Sequence, residues 1–248
     1  DKEIEFSPAL YEKNLSALSK HHPDIAELLD SVEIDKGIIK VIKSESGDFR
    51  MKYIKDSGEE VFIHSAHNPA ACAQEAIDLL GRIEKEGIIV LFGFGLGYFA
   101  EEIFKKFENG HVLMIYEATL EIFKSALHLR DFSTLFESDR VKVILGEEGG
   151  SPLSIMSGFV YHIVNGKFWI VKHHPSVKIN EEAYGKFHKM LHEDIIALNV
   201  QTATVVNIGS TFINSFFKNL PYLVRTHGVN KLKDILKGRN AIVAAAGP

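Results

Sequence analysis

The sequence predicts an α/β protein built on a parallel β-sheet, with a small α+β cap before the sheet and a helical linker after it. Three observations predict this class. Helix-like and strand-like segments alternate from residue 67 onward, the apolar run 88–92 ends in three glycines, and the apolar run 112–116 ends in Glu117. Strands separated by helical stretches of this length are typical of βαβ units, which form parallel sheets.

Composition narrows the class of protein. The 248 residues are 46% hydrophobic and 25% charged, which is ordinary for one or two globular domains. The net charge of −5 and the absence of a Lys/Arg stripe argue against a nucleic-acid partner. The single cysteine excludes an intramolecular disulfide framework. No signal peptide and no apolar run of ~18 residues is visible, so we expect a cytoplasmic protein with no membrane partner.

Residues 1–66 are predicted to form the cap. Leucine and isoleucine recur at helical intervals through residues 8–32, and Pro23 opens a second helix. Three short β-rich runs then follow, separated by glycine-containing turns, and they predict an antiparallel meander. These runs are 38–42, 49–54 and 61–63.

Residues 67–178 are predicted to form the main α/β domain. A helix opens at Asn68-Pro69 and is expected to run to about Lys85. The expected strands are 88–92, 112–116, 141–145 and 168–171, with helices at 97–107, 119–129 and within 146–163. Right-handed crossovers place the carboxyl ends of these strands along one edge, which is where ligands bind in open α/β sheets. The order of elements is that of a Rossmann-like, methyltransferase-like domain.

Residues 179–238 are predicted to be a helical linker. An apolar stripe runs through residues 180–220, and Pro221 is expected to end the helix. The last segment, 239–248, is strand-like and finishes in Gly247-Pro248. A strand of this kind normally leads into a further element, so we expect residues 239–248 to begin a truncated next domain.

The candidate binding site is the glycine loop that contains Gly93, Gly95 and Gly97. Glycine lets a backbone turn tightly and approach a ligand, and a helix N-terminus favours anions. Glu117, at the end of the next strand, could accept hydrogen bonds from ribose hydroxyls. The G-x-G-x-G spacing fits S-adenosylmethionine better than NAD, so we predict a nucleotide or S-adenosylmethionine here. The alternative is that the glycines only turn a buried strand into a helix.

The remaining chemistry-bearing residues do not define a catalytic set. No G-x-S-x-G, Walker or H-E-x-x-H motif is present, so the catalytic residues stay unknown. His173 and His174 follow the fourth strand, and either could act as a general base at this edge. Adjacent residues on an extended segment point in opposite directions, so the pair does not predict a metal site.

Four segments together resemble the motility accessory factor (Maf) proteins. They are Tyr11-Glu12-Lys13-Asn14-Leu15, Ile63-His64-Ser65-Ala66-His67-Asn68-Pro69, Val90 to Tyr98 with Tyr116-Glu117, and Asn240 to Pro248. The resemblance covers most of the chain, although each motif is short.

The resemblance implies a bacterial, cytoplasmic glycosyltransferase that adds nonulosonic, sialic-acid-like sugars to flagellin before export. It implies that this chain is the Rossmann-like N-terminal domain, serving as a scaffold or acceptor-docking module without the transferase active site. The nucleotide-sugar would be bound by the missing domain, and flagellin would be the protein partner.

Two other classes stay open at this point. One is an S-adenosylmethionine-dependent methyltransferase or another nucleotide-binding Rossmann domain, because Gly93, Gly95, Gly97 and Glu117 match that cofactor motif. Such a methyltransferase would need further strands after the fourth, where this sequence is mostly helical. The other class is a non-catalytic interaction domain that presents the sheet edge or the meander to flagellin or a flagellar chaperone.

Overall fold

A computed structural model describes residues 4–81, 86–108, 110–146, 151–152, 157–159, 162, 167–225 and 237–238. The chain divides into two compact units, residues 1–198 and 199–248, and each is described by itself. The first unit holds both sheets and the candidate site.

The first unit opens with two short helices and the antiparallel meander that the sequence predicts. The helices are α1 (Pro8–Ser19) and α2 (Pro23–Asp30), and the strands are β1 (Ile39–Lys43), β2 (Phe49–Ile54) and β3 (Glu60–Ile63). The strand order is β1-β2-β3. Ile39, Met51 and Ile63 point from the meander into the same core as the helices of the main sheet, so the cap shares that core.

The second sheet has four parallel strands in the order β6-β5-β4-β7, which confirms the predicted α/β class. Its elements are α3 (Pro69–Asp78), β4 (Glu86–Phe92), α4 (Tyr98–Lys105), β5 (Gly110–Glu117), α5 (Leu120–Leu129), α6 (Ser133–Phe136), β6 (Val141–Leu145) and β7 (Lys167–Lys172). Phe92 pairs with both Tyr116 and Lys172, and Glu117 pairs with Leu145. The carboxyl ends of all four strands therefore meet at one edge.

One face of this sheet is covered by the beginning of the long C-terminal helix. A short helix, α7 (His174–Ile179), leads into α8 (Glu181–Arg225). Tyr184, Phe187 and Leu191 of α8 pack on the apolar face formed by residues such as Val90 and Tyr116. This packing accounts for the first part of the apolar stripe seen in the sequence.

Two predicted helix ends are wrong. The helix α3 ends at Asp78 rather than near Lys85, because a turn with Gly81 at a φ of 71° follows it. Pro221 lies inside α8, which continues to Arg225. A proline has a helix-compatible φ and removes one N–H donor, so a helix can pass through it for a final turn. The predicted strand in 239–248 and most of 146–163 lie outside the described residues.

Within the second unit, the part of α8 from residue 199 to 225 exposes many large apolar side chains, among them Phe212, Phe216 and Phe217. Judged only by its length and composition, α8 is long and apolar enough to cross a membrane. No other helix among the described residues is. A single helix of this kind is weak evidence for a membrane, because core helices of soluble proteins meet the same two criteria.

Candidate functional site

The glycine loop lies where the sequence places it, between β4 and α4 at the carboxyl edge of the parallel sheet. Gly93, Gly95 and Gly97 have φ values of 91°, 55° and 79°, which are left-handed and suit glycine. Every residue from Gly93 to Tyr98 is buried. The loop is therefore enclosed by other parts of the protein.

Side chains of the same chain occupy the space that the three glycines leave. A Cβ atom at Gly93 would lie 2.5 Å from the Cβ of Ser176, and one at Gly97 would lie 2.3 Å from the ring of Phe132. At Gly95 the nearest atoms would belong to His64 and His173, at 2.8 and 2.9 Å. The close approach that requires glycine here is an approach to protein side chains.

Five consecutive backbone N–H groups of the loop donate to acceptors within the protein. Gly93 donates to the carbonyl of Tyr116 at 2.8 Å, and Gly97 donates to the carbonyl of Phe94 at 2.8 Å. Phe94 and Gly95 donate to the same oxygen of Glu117, at 2.8 and 3.2 Å. The N–H of Leu96 donates to Nε2 of His64 at 2.7 Å. In this conformation none of the five is offered to a ligand.

Glu117 is fully buried and saturated with internal donors. Its second carboxylate oxygen accepts from the N–H of Thr119 at 3.1 Å and from the hydroxyl of Tyr184 at 2.9 Å. Burial raises the pKa of Glu117, while hydrogen bonds, first from Thr119 and Gly95, oppose that rise. All four partners donate hydrogen bonds to Glu117, which therefore links the glycine loop to the end of β5 and to α8.

Two buried histidines cover the loop. The rings of His64 and His173 stack with 4.5 Å between their centroids, and Nδ1 of His173 lies 2.8 Å from the hydroxyl of Ser176. Burial lowers the pKa of His64 well below its usual value, and burial lowers the pKa of His173 to about 3. Nε2 of His64 accepts a hydrogen bond, so its proton is assigned to Nδ1. Neither ring is placed to act as a general base on a substrate.

Both backbone polar groups of Leu96 are hydrogen-bonded to side chains of the protein. Its N–H donates to His64, and its carbonyl accepts from a guanidinium N–H of Arg130 at 2.7 Å. Arg130 also pairs with Glu101 and lies 3.8 Å from the ring centroid of Tyr98. These contacts fix the loop in one conformation, since a shift of Leu96 would break both hydrogen bonds.

An open cleft of about 550 Å³ lies at the same sheet edge, where β5 and β6 end, and no residue of the glycine loop lines it. Its walls come from the β2–β3 turn, the start of α5, the residue after β6 and the α7–α8 junction. They include Tyr53, Lys55, Asp56, Ser57, Ala118, Thr119, Leu120, Glu121, Gly146, Ile179 and Asn180. The volume falls within the range of about 300–1,000 Å³ that small-ligand sites have.

The structure brings the predicted residues Gly93, Gly95, Gly97 and Glu117 together, and their role in cofactor binding stays a prediction. His173 is 2% exposed while His174 is exposed, so the adjacent histidines do face opposite ways. Among the described residues, no group of three or more His, Cys, Asp or Glu could hold a metal ion.

Sequence reasoning missed the residues that fill the loop and the residues that line the cleft. In the sequence, His64 stands out only as part of the segment 63–69 that resembles the Maf family, and its left-handed φ of 75° is not visible there. Tyr184 lies 67 positions from Glu117, and the sequence pattern marks it only as part of a predicted helix. The one available signal was that His173 follows the strand 168–171, whose carboxyl end is expected at the sheet edge, whereas His64 follows a strand of the predicted meander.

Comparisons with known proteins include a family match and two weaker likenesses. The model of the family described as "Glycosyltransferase Maf N-terminal domain" matches residues 52–193. An uncharacterized protein of Treponema pallidum (strain Nichols) is 22% identical over 191 residues, which are 75% of this chain and 63% of that protein. The chain thus spans less than two thirds of that relative. A protein-L-isoaspartate O-methyltransferase structure gives a TM-score of 0.32 at 16% identity, over 64% of this chain and 47% of its own.

Proposed function

Because the chain belongs to the family of glycosyltransferase Maf N-terminal domains, we propose that it is the non-catalytic, acceptor-docking scaffold of a bacterial glycosyltransferase. In this proposal the whole enzyme adds nonulosonic sugars to flagellin in the cytoplasm. The nucleotide-sugar and the transfer chemistry belong to another domain of the enzyme.

The saturation of the glycine loop is the observation that carries this proposal. A cofactor-binding Rossmann loop needs free N–H groups for the ligand and a free acid for the ribose. Here the N–H groups of residues 93–97 and both oxygens of Glu117 have acceptors or donors inside the protein. Opening the loop would leave several buried polar groups unpaired, each costing about 1–3 kcal/mol. This geometry supports a scaffold and weighs against the S-adenosylmethionine methyltransferase alternative.

Calorimetric titration of the purified chain with CMP, S-adenosylmethionine and S-adenosylhomocysteine tests the scaffold part. We expect no binding heat for any of the three at micromolar concentrations. Micromolar binding of S-adenosylmethionine and S-adenosylhomocysteine would instead support the methyltransferase, and micromolar binding of CMP would support a donor site in this domain.

Surface-immobilised binding of flagellin from the same organism tests the docking part. We expect reversible binding of the purified chain to unmodified flagellin. An unrelated Rossmann domain of similar size and charge serves as the control. Equal retention of both proteins, or none of this chain, would count against docking.

A further inference from the structure

The part of α8 in the second unit, residues 199–225, exposes one continuous apolar face. Large apolar side chains recur there at intervals of three or four residues, so they lie on one side of the helix. Ile213 and Phe217 lie next to them and widen the face. Soluble proteins rarely leave an apolar face of this extent uncovered. The side chains in the row are Ile208, Phe212, Phe216, Leu220 and Leu223, each between 38% and 66% exposed.

The opposite side of the same segment is polar and cationic. Thr211, Asn214, Lys218 and Arg225 follow one another at intervals of three, four and seven residues, which places them on one side of the helix. All four are exposed. No Asp or Glu occurs anywhere from residue 195 to residue 233. The segment is therefore amphipathic, and the only charges on its polar face are positive.

The two compact units carry opposite net charges. Residues 1–198 contain 22 Lys or Arg and 32 Asp or Glu, a net charge of −10. Residues 199–248 contain six Lys or Arg and one Asp, a net charge of +5. The positive charge of the chain is thus concentrated in the unit that exposes the apolar face. A partner that is both apolar and negatively charged complements this unit.

An anionic lipid bilayer has both properties. Its acyl chains take up apolar side chains, and its headgroups attract Lys and Arg. Helices that lie in the bilayer interface typically carry Phe and Leu on one face and Lys or Arg on the other. A core helix of the same length and composition would be mostly buried, whereas only 6% of the most apolar stretch of α8 is buried.

A second copy of the chain is a poorer partner for this face. Pairing two of these helices would bring together two units that each carry a charge of +5, and like charges repel. The described residues of the first unit expose only scattered large apolar side chains, on α2, β3, β7 and the turn after α3. They offer no apolar face of matching length.

We infer that residues 199–225 form a membrane anchor, an amphipathic helix that lies in the surface of an anionic bilayer. Its apolar face contacts the acyl chains, while Lys218 and Arg225 lie at the headgroups. The helix lies flat because a crossing helix would place Thr211 and Asn214 in the hydrocarbon. The inference is independent of acceptor docking. It replaces the sequence-based expectation of no membrane partner, which considered uninterrupted apolar runs and not the faces of a helix.

Cosedimentation of the purified chain with lipid vesicles tests the anchor. One vesicle preparation is phosphatidylcholine alone, and the other contains about 30% phosphatidylglycerol as the anionic lipid. We expect micromolar binding to the anionic vesicles and at least tenfold weaker binding to the neutral ones. Binding to the anionic vesicles should also weaken at about 0.5 M salt, because salt screens the attraction of the cations to the headgroups.

A pair of substitutions tests the apolar face. Phe212→Gln with Phe216→Gln should weaken binding to anionic vesicles at least tenfold, because two aromatic rings no longer enter the acyl region. The matched control is Phe62→Gln with Leu79→Gln, which changes two exposed apolar residues of the first unit and should leave binding unchanged. Circular dichroism and urea midpoints verify that each variant is folded.

A second pair tests the cations. Lys218→Gln with Arg225→Gln should weaken binding to anionic vesicles roughly tenfold to thirtyfold and leave the residual binding to neutral vesicles unchanged. The matched control is Lys36→Gln with Lys40→Gln, at two exposed positions of the first unit, and it should bind like the wild type.

A fluorescent label reports how the helix lies. Replacing the single cysteine by Cys72→Ser allows a label at Phe216→Cys or at Asn214→Cys, on opposite sides of the helix. On anionic vesicles we expect the label at position 216 to be shielded from aqueous iodide and the label at position 214 to stay accessible. Shielding at both positions would mean that the helix crosses the bilayer, and the flat arrangement would be wrong.

Three other results would overturn the anchor. These are no binding to anionic vesicles, equal binding to neutral vesicles, and undiminished binding of the folded variant Phe212→Gln with Phe216→Gln. Sedimentation velocity without lipid identifies the other partner. A dimer that this variant dissociates, in a chain that does not bind vesicles, would assign the apolar face to a contact between copies. Acceptor binding is measured without lipid, so none of these results bears on the docking function.

Discussion

His64 and His173 stack on each other against Gly95, with 4.5 Å between ring centroids and 30° between ring planes. One ring comes from the segment after β3 and the other from the end of β7, so the pair joins the meander cap to the parallel sheet. The glycine loop contacts this pair through Gly95, which faces both rings, and through the N–H of Leu96, which donates to His64. Its conformation thus depends on both sheets of the first unit.

Replacing Gly95 by alanine should destabilise the fold strongly. A Cβ there would lie 2.8 Å from His64 and 2.9 Å from His173, at a φ of 55°. The left-handed φ costs about 1–2 kcal/mol and overpacking about 1–3 kcal/mol more. Urea unfolding should therefore show a loss of roughly 2–5 kcal/mol.

The matched control is Gly47→Ala, in the turn between β1 and β2. Gly47 has a φ of 85°, but a Cβ there would meet nothing within 4 Å. Only the backbone penalty of about 1–2 kcal/mol applies. Equal losses for the two variants would show that the histidines do not confine the loop.

The free energy of unfolding should fall as the pH drops below about 6.5. Burial lowers the pKa of both His64 and His173 in the folded state, the latter to about 3. Below 6.5 the unfolded chain binds protons that the folded chain does not, so acid favours unfolding. Each histidine contributes about 1.4 kcal/mol per pH unit, from 6.5 down to its folded pKa. Urea unfolding between pH 7.5 and 5 measures the slope.

The variant His64→Gln measures the part of the pH dependence of the unfolding free energy that is due to His64. It removes the titrating ring, while the glutamine oxygen can still accept the hydrogen bond from the N–H of Leu96. We expect it to remove roughly half of the combined slope of the two histidines. His192→Gln, at an exposed position of α8, should leave the slope unchanged. A slope unaltered in His64→Gln would mean that His64 titrates normally in the folded protein.

The sequence was sufficient to predict which segments are helices and strands, and that the ends of the parallel strands lie at one edge of the sheet. The turn glycines, the alternating β-rich runs and the βα periodicity are local signals, and they placed Gly93 and Glu117 on neighbouring strands. The helix ends at Asp78 and Arg225 were missed because they depend on a left-handed Gly81 and on a proline tolerated inside a helix.

What the glycine loop touches could not be read from the sequence. Glycine-rich loops look alike whether they approach a phosphate or a histidine, because glycine only permits the close contact. The partners here lie far away in sequence, at His64, Phe132 and His173. Placing their side chains over the loop requires the packing of three separate segments, and this is not contained in any local pattern.

Replacing Glu117 by glutamine should destabilise the protein although the shape is retained. An amide nitrogen would face either the N–H groups of Phe94 and Gly95, which can only donate, or the N–H of Thr119 together with the hydroxyl of Tyr184, of which only the hydroxyl could turn to accept. Unpaired buried donors cost about 1–3 kcal/mol each, so we expect a loss of roughly 2–4 kcal/mol in urea unfolding. Glu75→Gln, at an exposed position of α3, is the control and should change stability by under about 0.5 kcal/mol. If Glu117→Gln were as stable as the wild type, the hydrogen bonds to Glu117 would not stabilise the folded protein.

Asn14 tests how α1 is attached to the end of α5 and the segment that follows it. It is fully buried, and its amide donates to the carbonyls of Leu127 and Arg130 at 2.8 and 2.7 Å, while its oxygen accepts from the N–H of Phe132 at 2.7 Å. The variant Asn14→Asp keeps the shape but cannot donate, and it places a charge against two carbonyl oxygens. We expect a loss of about 3 kcal/mol or more at pH 8.

The same variant has a pH signature that a mere packing defect lacks. A protonated aspartate can donate one hydrogen bond, and burial favours this neutral form, so the folded state of the variant should bind a proton more tightly than the unfolded state. The stability gap between wild type and Asn14→Asp should therefore narrow from pH 8 to pH 5, measured by urea unfolding of both proteins at each pH. Glu12→Gln, at the exposed face of the same helix, should show no gap at either pH. A gap that is constant with pH would mean that the side chain at position 14 is solvated rather than held by the three backbone groups.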